Sequence, residues 1–194
     1  MMMDFYEMTM SYGYFHQRDG DMRVAFDLFF RSVPDKGGYA VFAGLEHVIE
    51  FVENLAFSDE DIDYFRQQKL FSEEFLTFLR GFHFRGDIYA VPEGTIIYPD
   101  EPLLTIVAPI IDAQLIETAI LAQINHQSLI ATKASRIVRA AEGRCVSDFG
   151  ARRAHNMDAA TYGARAAYIG GVDMTGAGSG GAQLRVPLPG TVCP

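Results

Sequence analysis

Hydrophobic residues recur along this chain in two rhythms, and each predicts its own kind of element. Near the start, Phe5, Met8, Tyr12 and Phe15 are spaced three and four apart, the period of one helix face. Asp4 stands at an N-cap position, and Glu7 three residues on completes a capping-box pattern. Met22–Arg31 alternates instead. Val24, Phe26, Leu28 and Phe30 share one side of a predicted strand, and Phe29 makes the other side partly covered as well. Val33–Gly38 reads as a turn or loop. Helical period returns from Leu45 to Leu55, where Val48, Ile49 and Val52 oppose Glu46, Glu50 and Glu53. Ser58 and Ser72 each precede an acidic first turn and predict short capped helices, the second ending at Gly81.

Between Gly86 and Pro109 the texture changes to short β runs punctuated by Pro92, Gly94, Pro99 and Pro102. Asp87–Val91, Thr95–Tyr98 and Leu103–Val107 are the expected strands of one small sheet or sandwich. A helical stretch follows, from a cap at Asp112 to a stop at Gly143. Its roughly thirty residues are long for a globular helix, and a division near Asn125-His126 is expected. Then come a strand (Arg144–Asp148), a polar loop (Gly150–Asn156), a helix (Met157–Ile169) and a strand start at Val172–Met174. That rhythm opens a parallel α/β unit. The expected division is residues 1–111, then 112–175, then an atypical tail over 176–194. Gly, Ala and Ser from Gly176 to Gly181, with Pro187, Pro189 and Pro194 after, predict that Ala177 to Pro194 is poorly ordered.

Composition narrows the function classes. Of 194 residues, 49% are hydrophobic and 21% charged, enough apolar material for a core and too little charge for global disorder. Sixteen Lys and Arg against twenty-five Asp and Glu give a formal charge of −9, which argues against a nucleic-acid binder. Small anions remain open, because a few local arginines suffice to hold them. No apolar run is long enough for a membrane span, and the first residues lack a signal-peptide pattern. Cys145 and Cys193 stand far apart and show no metal-ligand spacing, so a cytoplasmic setting without a disulfide framework is expected.

The candidate chemistry lies in Ser147-Asp148-Phe149-Gly150-Ala151-Arg152-Arg153-Ala154-His155-Asn156. In α/β proteins ligands sit beyond the carboxyl ends of strands, and this loop follows one. Arg152 and Arg153 are suited to a carboxylate, phosphate or pyrophosphate; the plainer alternative is ion pairing with the surplus acids. Of the five histidines only His155 falls in this loop. Gly176-Ala177-Gly178-Ser179-Gly180-Gly181 has the letters of a dinucleotide fingerprint, but prolines follow where a helix is required.

The run Val146 to His155, with Ala159-Ala160 and Ala166 to Gly171, resembles the signature after the first barrel strand of nicotinate phosphoribosyltransferases. Asp4 to Met10 resembles that family's opening helix, and Arg23–Arg31, Gly37-Gly38 and Ala43-Gly44-Leu45 its first strand and following helix. Pro92-Glu93-Gly94, Tyr98-Pro99 and Pro102-Leu103-Leu104 resemble its small β domain, and Leu129–Ala134 with Arg136 the helix leading into the barrel. The resemblance spans residues 4–174. It implies an α+β amino-terminal domain with a small β-sandwich, then the first β/α units of an incomplete (β/α) barrel. The implied reaction joins nicotinate to phosphoribosyl pyrophosphate, with Mg²⁺ and ATP, giving nicotinate mononucleotide for NAD synthesis. Implied substrate-binding residues are Tyr6, reaching the nicotinate site of a neighbouring subunit in a homodimer, the pair Arg152 and Arg153, and Thr191. Nicotinamide or quinolinate as the pyridine, or a non-catalytic fragment completed by a partner chain, are the alternatives.

The sequence departs from the family late. A Gly-Thr-x-Ala-His motif should end in a histidine that ATP phosphorylates, but Cys193 and Pro194 occupy its last two positions. Thr175-Gly176-Ala177-Gly178 replaces an expected Thr-Ser-Asn stretch, the pattern of a truncation or frameshift near codon 175. Proline offers no nucleophilic nitrogen, and a thiol on a flexible tail is not held in attack geometry. The purified chain is therefore expected to form no detectable nicotinate mononucleotide from nicotinate, phosphoribosyl pyrophosphate, Mg²⁺ and ATP. Turnover at an ordinary enzymatic rate, lost in Arg153→Ala, would overturn that expectation.

Overall fold

The elements follow the hydrophobic rhythm at their centres and depart from it at their ends in the computed structural model, which describes residues 3–33 and 36–178. In chain order they are α1 (Phe5–Gln17), β1 (Arg23–Leu28), β2 (Ala40–Val41), α2 (Leu45–Asn54), α3 (Asp59–Gln68), α4 (Glu73–Arg80) and β3 (Asp87–Ala90). There follow β4 (Ile96–Ile97), β5 (Leu104–Pro109), α5 (Ile110–Gln114), α6 (Glu117–Ala140), β6 (Ser147–Asp148), α7 (Met157–Ile169) and β7 (Met174–Thr175). They divide into two compact units, each assembled from separate stretches: Met1–Leu28, Glu46–Ala90 and Leu104–Ala122, then Phe29–Leu45, Val91–Leu103 and Gln123–Pro194. The protein is thus a mixed helix-and-sheet structure with several small sheets.

In the first unit, β5 runs antiparallel between β1 and β3, bringing Phe26 and Ile88 opposite Ile106. Leu104, Ile106 and Ala108 are buried on one face. On the other, Thr105 donates to Asp27 at 2.6 Å and Arg23 pairs with Asp87 at 3.4 Å. A chain of tilted, edge-on and stacked rings from Tyr12 and Phe15 through Phe71, Phe75 and Phe78 joins α1 to α4. β1 ends at Leu28, short of Arg31, and Phe29 is 44% exposed, so the covered second face is not found there. Ile49 likewise points outward, leaving Val48 and Val52 as the buried face of α2.

The predicted caps divide by what else their carboxylates can reach. Ser58 and Asp61 form the full reciprocal box on α3, Ser72 accepts from Phe75 N–H, and Gly81 closes α4. Asp4 and Glu7 do not make their box. Glu7 is fully buried, and its Oε1 accepts from Thr118 N–H at 2.7 Å and Thr118 Oγ1 at 2.6 Å. It thereby serves the N-terminus of α6, whose first amides lack partners within the helix. Asp112 does not cap a long helix either. It is buried inside α5, where Arg85 donates to it from Nε at 3.2 Å, from Nη2 at 2.9 Å and from the backbone at 2.9 Å. The break falls at Leu115-Ile116, not at Asn125-His126, and α6 runs unbroken for 24 residues.

The second unit holds two further sheets. The three predicted strands after Gly86 do not form one sheet or sandwich: β3 and β5 pair with each other and β1, whereas β4 pairs with β2, an element not anticipated. β6 and β7 pair in parallel, Ser147 opposite Met174 and Asp148 opposite Thr175, with α7 between them in the chain, as the strand–helix–strand rhythm predicted. Gly170 lets α7 approach α6, since a Cβ there would lie 2.4 Å from the Ala131 carbonyl oxygen. Thr191 and the tail from Ser179 lie outside the described residues, as do Pro34 and Asp35 of the Val33–Gly38 loop.

Two outcomes are expected from this packing. Arg85→Met would strand the fully buried Asp112 carboxylate and should lower stability by about 3 kcal/mol in chemical denaturation; a change within a few tenths would show that the pair contributes nothing. Burial pushes the Glu7 carboxyl above its ordinary value of 4.5, against the Thr118 bonds that lower it and with help from nearby Glu117 and Asp4. The folded state therefore holds this proton more tightly, and the associated stability, full below the ordinary value, is lost as pH rises through the folded value. Glu7→Gln should remove that loss, so that melting curves of parent and variant separate in the variant's favour towards about pH 8. Parallel curves across the range would refute the assignment.

Candidate functional site

β6 ends at Asp148, and a parallel strand ending there leaves its following loop free to receive a ligand. Phe149 and Gly150 lead into a single 3₁₀ turn, Ala151–Arg153, stapled by Arg153 N–H donating to the Gly150 carbonyl at 2.8 Å. Asp148 shapes the turn from below: Oδ1 accepts from Gly150 N–H at 2.8 Å and Oδ2 from Thr175 Oγ1 at 3.3 Å. Asn156 then caps α7 by accepting from Ala159 N–H at 2.7 Å. The loop is thus fastened at both ends by side chains within or beside it, while Arg152, Arg153 and His155 are exposed.

Between this loop, α7 and α6 lies a cavity of about 450 Å³. Its apolar walls come from Leu129 and Ile130 on α6 and from the small-residue face of α7, including Ala160, Gly163 and Ala164. Gly163 sits tightly there, for a Cβ would come within 3.1 Å of Ile130. Polar groups are few: Asn125, His126, Asp148, Arg153 and His155. A mostly apolar cavity with a handful of convergent polar groups suits a small, flat, charged ligand. Neither Arg152 nor Arg153 makes a side-chain ion pair or hydrogen bond among the described residues, so the plainer alternative of pairing with surplus acids is not seen there.

The sequence candidates are distributed unequally. Arg153 and His155 line the cavity, Arg152 shares the turn without lining it, and Tyr6 belongs to the other unit. Thr191 is outside the described residues. Tyr6 is 44% exposed on α1. Desolvation, a hydrogen bond to Glu117 and the charges of Glu117, Glu7 and Asp4 push its phenol up to about 12, which keeps it neutral and unsuited to act as a base near neutral pH. Among the described residues no three His, Cys, Asp or Glu side chains gather to hold a metal ion, and no helix is long and apolar enough to cross a membrane.

Sequence reasoning missed Asn125 and His126, which spacing alone makes ordinary helix residues; His126 Nε2 lies 3.3 Å from the Ala159 carbonyl oxygen across the cavity floor. It also took Glu93 only as part of the Pro92-Glu93-Gly94 block of the small β domain. Glu93 Oε1 accepts from Gly44 N–H at 2.6 Å and Leu45 N–H at 3.0 Å, and the carboxylate takes Arg165 of α7 in a two-pronged pair at 2.9 and 2.6 Å. Burial raises the Glu93 carboxyl, but the Arg165 and backbone donors outweigh that and hold it below the usual carboxylate range.

The family described as nicotinate phosphoribosyltransferase (NAPRTase) N-terminal domain matches residues 1–125. A nicotinate phosphoribosyltransferase of Mycobacterium tuberculosis is 47% identical over 189 residues, covering 97% of this chain and 41% of that protein. The Bacillus subtilis protein of the same description is 44% identical over 188 residues, covering 97% of this chain and 38% of its own length. The crystal structure of human nicotinic acid phosphoribosyltransferase superposes with a TM-score of 0.91 at 30% identity, over 100% of this chain and 39% of that one. The chain therefore spans about two fifths of the length of the relatives it matches.

Proposed function

From a chain that belongs to the nicotinate phosphoribosyltransferase family, we propose the amino-terminal part of an enzyme that joins nicotinate to phosphoribosyl pyrophosphate in NAD synthesis. The observation that carries the reading is Arg153, without a partner among the described residues, at an apolar cavity on the loop after a parallel strand. In this reading β6, α7 and β7 are the first β/α unit of a barrel that follows a helical lead-in from residue 112, while residues 1–111 form the amino-terminal domain.

The chemistry sets the demands. The pyridine nitrogen of nicotinate forms a bond to the anomeric carbon as the bond from that carbon to pyrophosphate breaks, and pyrophosphate leaves with the electron pair. Holding the two partners in line is the largest service a protein can give such a step. Arg153, with Arg152 beside it, supplies charge-assisted hydrogen bonds to the nicotinate carboxylate or the phosphoribosyl oxygens. Ala160, Gly163 and Ala164 leave room for a flat ring. Tyr6, a neutral phenol, offers a ring face to the pyridine of a neighbouring subunit in a homodimer, and Thr191 is assigned to substrate binding by the family pattern alone. The family implies Mg²⁺ and ATP as well. The described residues gather no metal-binding cluster, so no side chain here is assigned to either. The cytoplasm is the compartment where these substrates would be met.

Titrating the purified chain with nicotinate, nicotinamide and quinolinate separately, by calorimetry or NMR, tests the reading. Nicotinate should bind in preference, and Arg153→Ala should weaken it roughly tenfold or more, the loss expected for a hydrogen bond to a charged group. Preference for either other pyridine would move the chain to a different phosphoribosyl transfer. Absence of any pyridine binding would leave a non-catalytic fragment as the better description.

A further inference from the structure

Resting on the reading of the Arg152–His155 loop as the anion-holding part of the site, we propose that Glu93 and Arg165 are a positioning pair that sets the rotation of α7 and so aims that loop into the cavity. Neither residue lines the cavity. Their influence on it is geometric and passes through the helix they hold.

Residues 159, 160, 163, 164 and 167 of α7 form the cavity wall. At 100° per residue these lie on one face, and Arg165 falls about 170° around from its centre. The guanidinium therefore pulls on the back of the helix while the front faces the ligand space. It is gripped by both carboxylate oxygens of Glu93, Nη1 to Oε1 at 2.9 Å and Nη2 to Oε2 at 2.6 Å. A two-pronged pair fixes orientation where a single contact would act as a swivel. The pair is well shielded, with side-chain exposures of 13% and 18%.

Glu93 is itself anchored by something that does not swing. Its Oε1 also accepts from Gly44 and Leu45 N–H, the amides at the start of α2. Gly44 has φ +109°, and a Cβ there would lie 2.9 Å from the Gln123 carbonyl oxygen, so its backbone is pinned against α6. The line from this fixed backbone runs through Glu93 and Arg165 into α7. At its N-terminus α7 is joined through the Asn156 cap to His155, Ala154 and Arg153 with no intervening linker. A rotation of α7 by a fraction of a turn would carry Arg153 with it. Displacements of about 1 Å at a binding group are enough to cost a large part of its affinity.

The test uses Glu93→Gln and Arg165→Lys in the 194-residue chain. Glutamine keeps an acceptor for the Gly44 and Leu45 amides, and lysine keeps the charge but not the fork. Arg66→Lys, at the exposed Arg66–Glu73 pair, is the control. Amide NMR spectra, thermal melts and nicotinate affinity well below the melting temperature would be measured. The expected result is displaced amide signals over Gly150–Asn156 and roughly tenfold weaker nicotinate binding in both variants, with neither in the control. The double variant should lose no more than Arg165→Lys alone, because the two side chains act as one unit. Loop signals that superimpose on the parent's, or melts lowered with affinity unchanged, would overturn the proposal and leave the pair merely structural. If the parent binds no nicotinate, the functional reading fails, and the loop signals still decide the positioning. Should Glu93→Gln fail to fold, Arg165→Lys decides alone.

Discussion

A short buried strand with no second strand on one side among the described residues is the constraint around which the second unit is built. Residues 39–43 run beside β4, where Phe42 N–H donates to the Thr95 carbonyl at 2.9 Å and Gly94 N–H to the Phe42 carbonyl at 2.8 Å. Their other edge faces α6, and a buried amide without a partner is costly. Side-chain hydroxyls take the place of the missing strand. Thr132 Oγ1 accepts from Val41 N–H at 2.8 Å, while Ser128 Oγ accepts from Ala43 N–H at 3.0 Å and donates back to the Ala43 carbonyl at 3.1 Å. Tyr39 continues the row with Ser135, and Arg136 donates to the Tyr39 carbonyl. Positions 128, 132 and 135 recur at helical spacing, so one stripe of α6 acts as the absent edge.

That substitution decides what can pack nearby. Ser128 and Thr132 are buried because they are bonded, and their neighbours are small: Ala43, Ala131 and Ala166 form the adjoining core with Val41. Small residues bring α7 so close that a Cβ on Gly170 would lie 2.4 Å from the Ala131 carbonyl oxygen, and Gly163 and Ala164 bound the cavity. The cavity is therefore a consequence of the packing that satisfies the strand. The first unit applies the same rule with carboxyl groups, Glu7 taking the Thr118 amide at the start of α6 and Arg85 meeting the buried Asp112.

The division of labour in the candidate site follows from these restraints. Asp148, five residues before Arg153, is engaged by Gly150 and Thr175 and makes no pair with that arginine among the described residues. Glu93 is committed to Gly44, Leu45 and Arg165.

What the chain determined by itself was local. The period of Leu45–Leu55, the Ser58 and Ser72 caps and the strand–helix–strand run from Arg144, of which only Ser147–Asp148 is strand, were legible, because each rests on interactions within a few residues. The resemblance carried the family, through order and spacing of blocks. What only the tertiary structure decided was where groups far apart in sequence meet. Glu7 abandons its own helix end for Thr118, 111 residues away. Asp112 is buried by Arg85 instead of starting a helix, β4 leaves its sequence neighbours for β2, and Glu93 reaches Arg165 across 72 residues. Short-range preference for these groups amounts to about a kilocalorie per mole, whereas leaving a buried charge or amide unpaired costs several times that, so the long-range partner prevails.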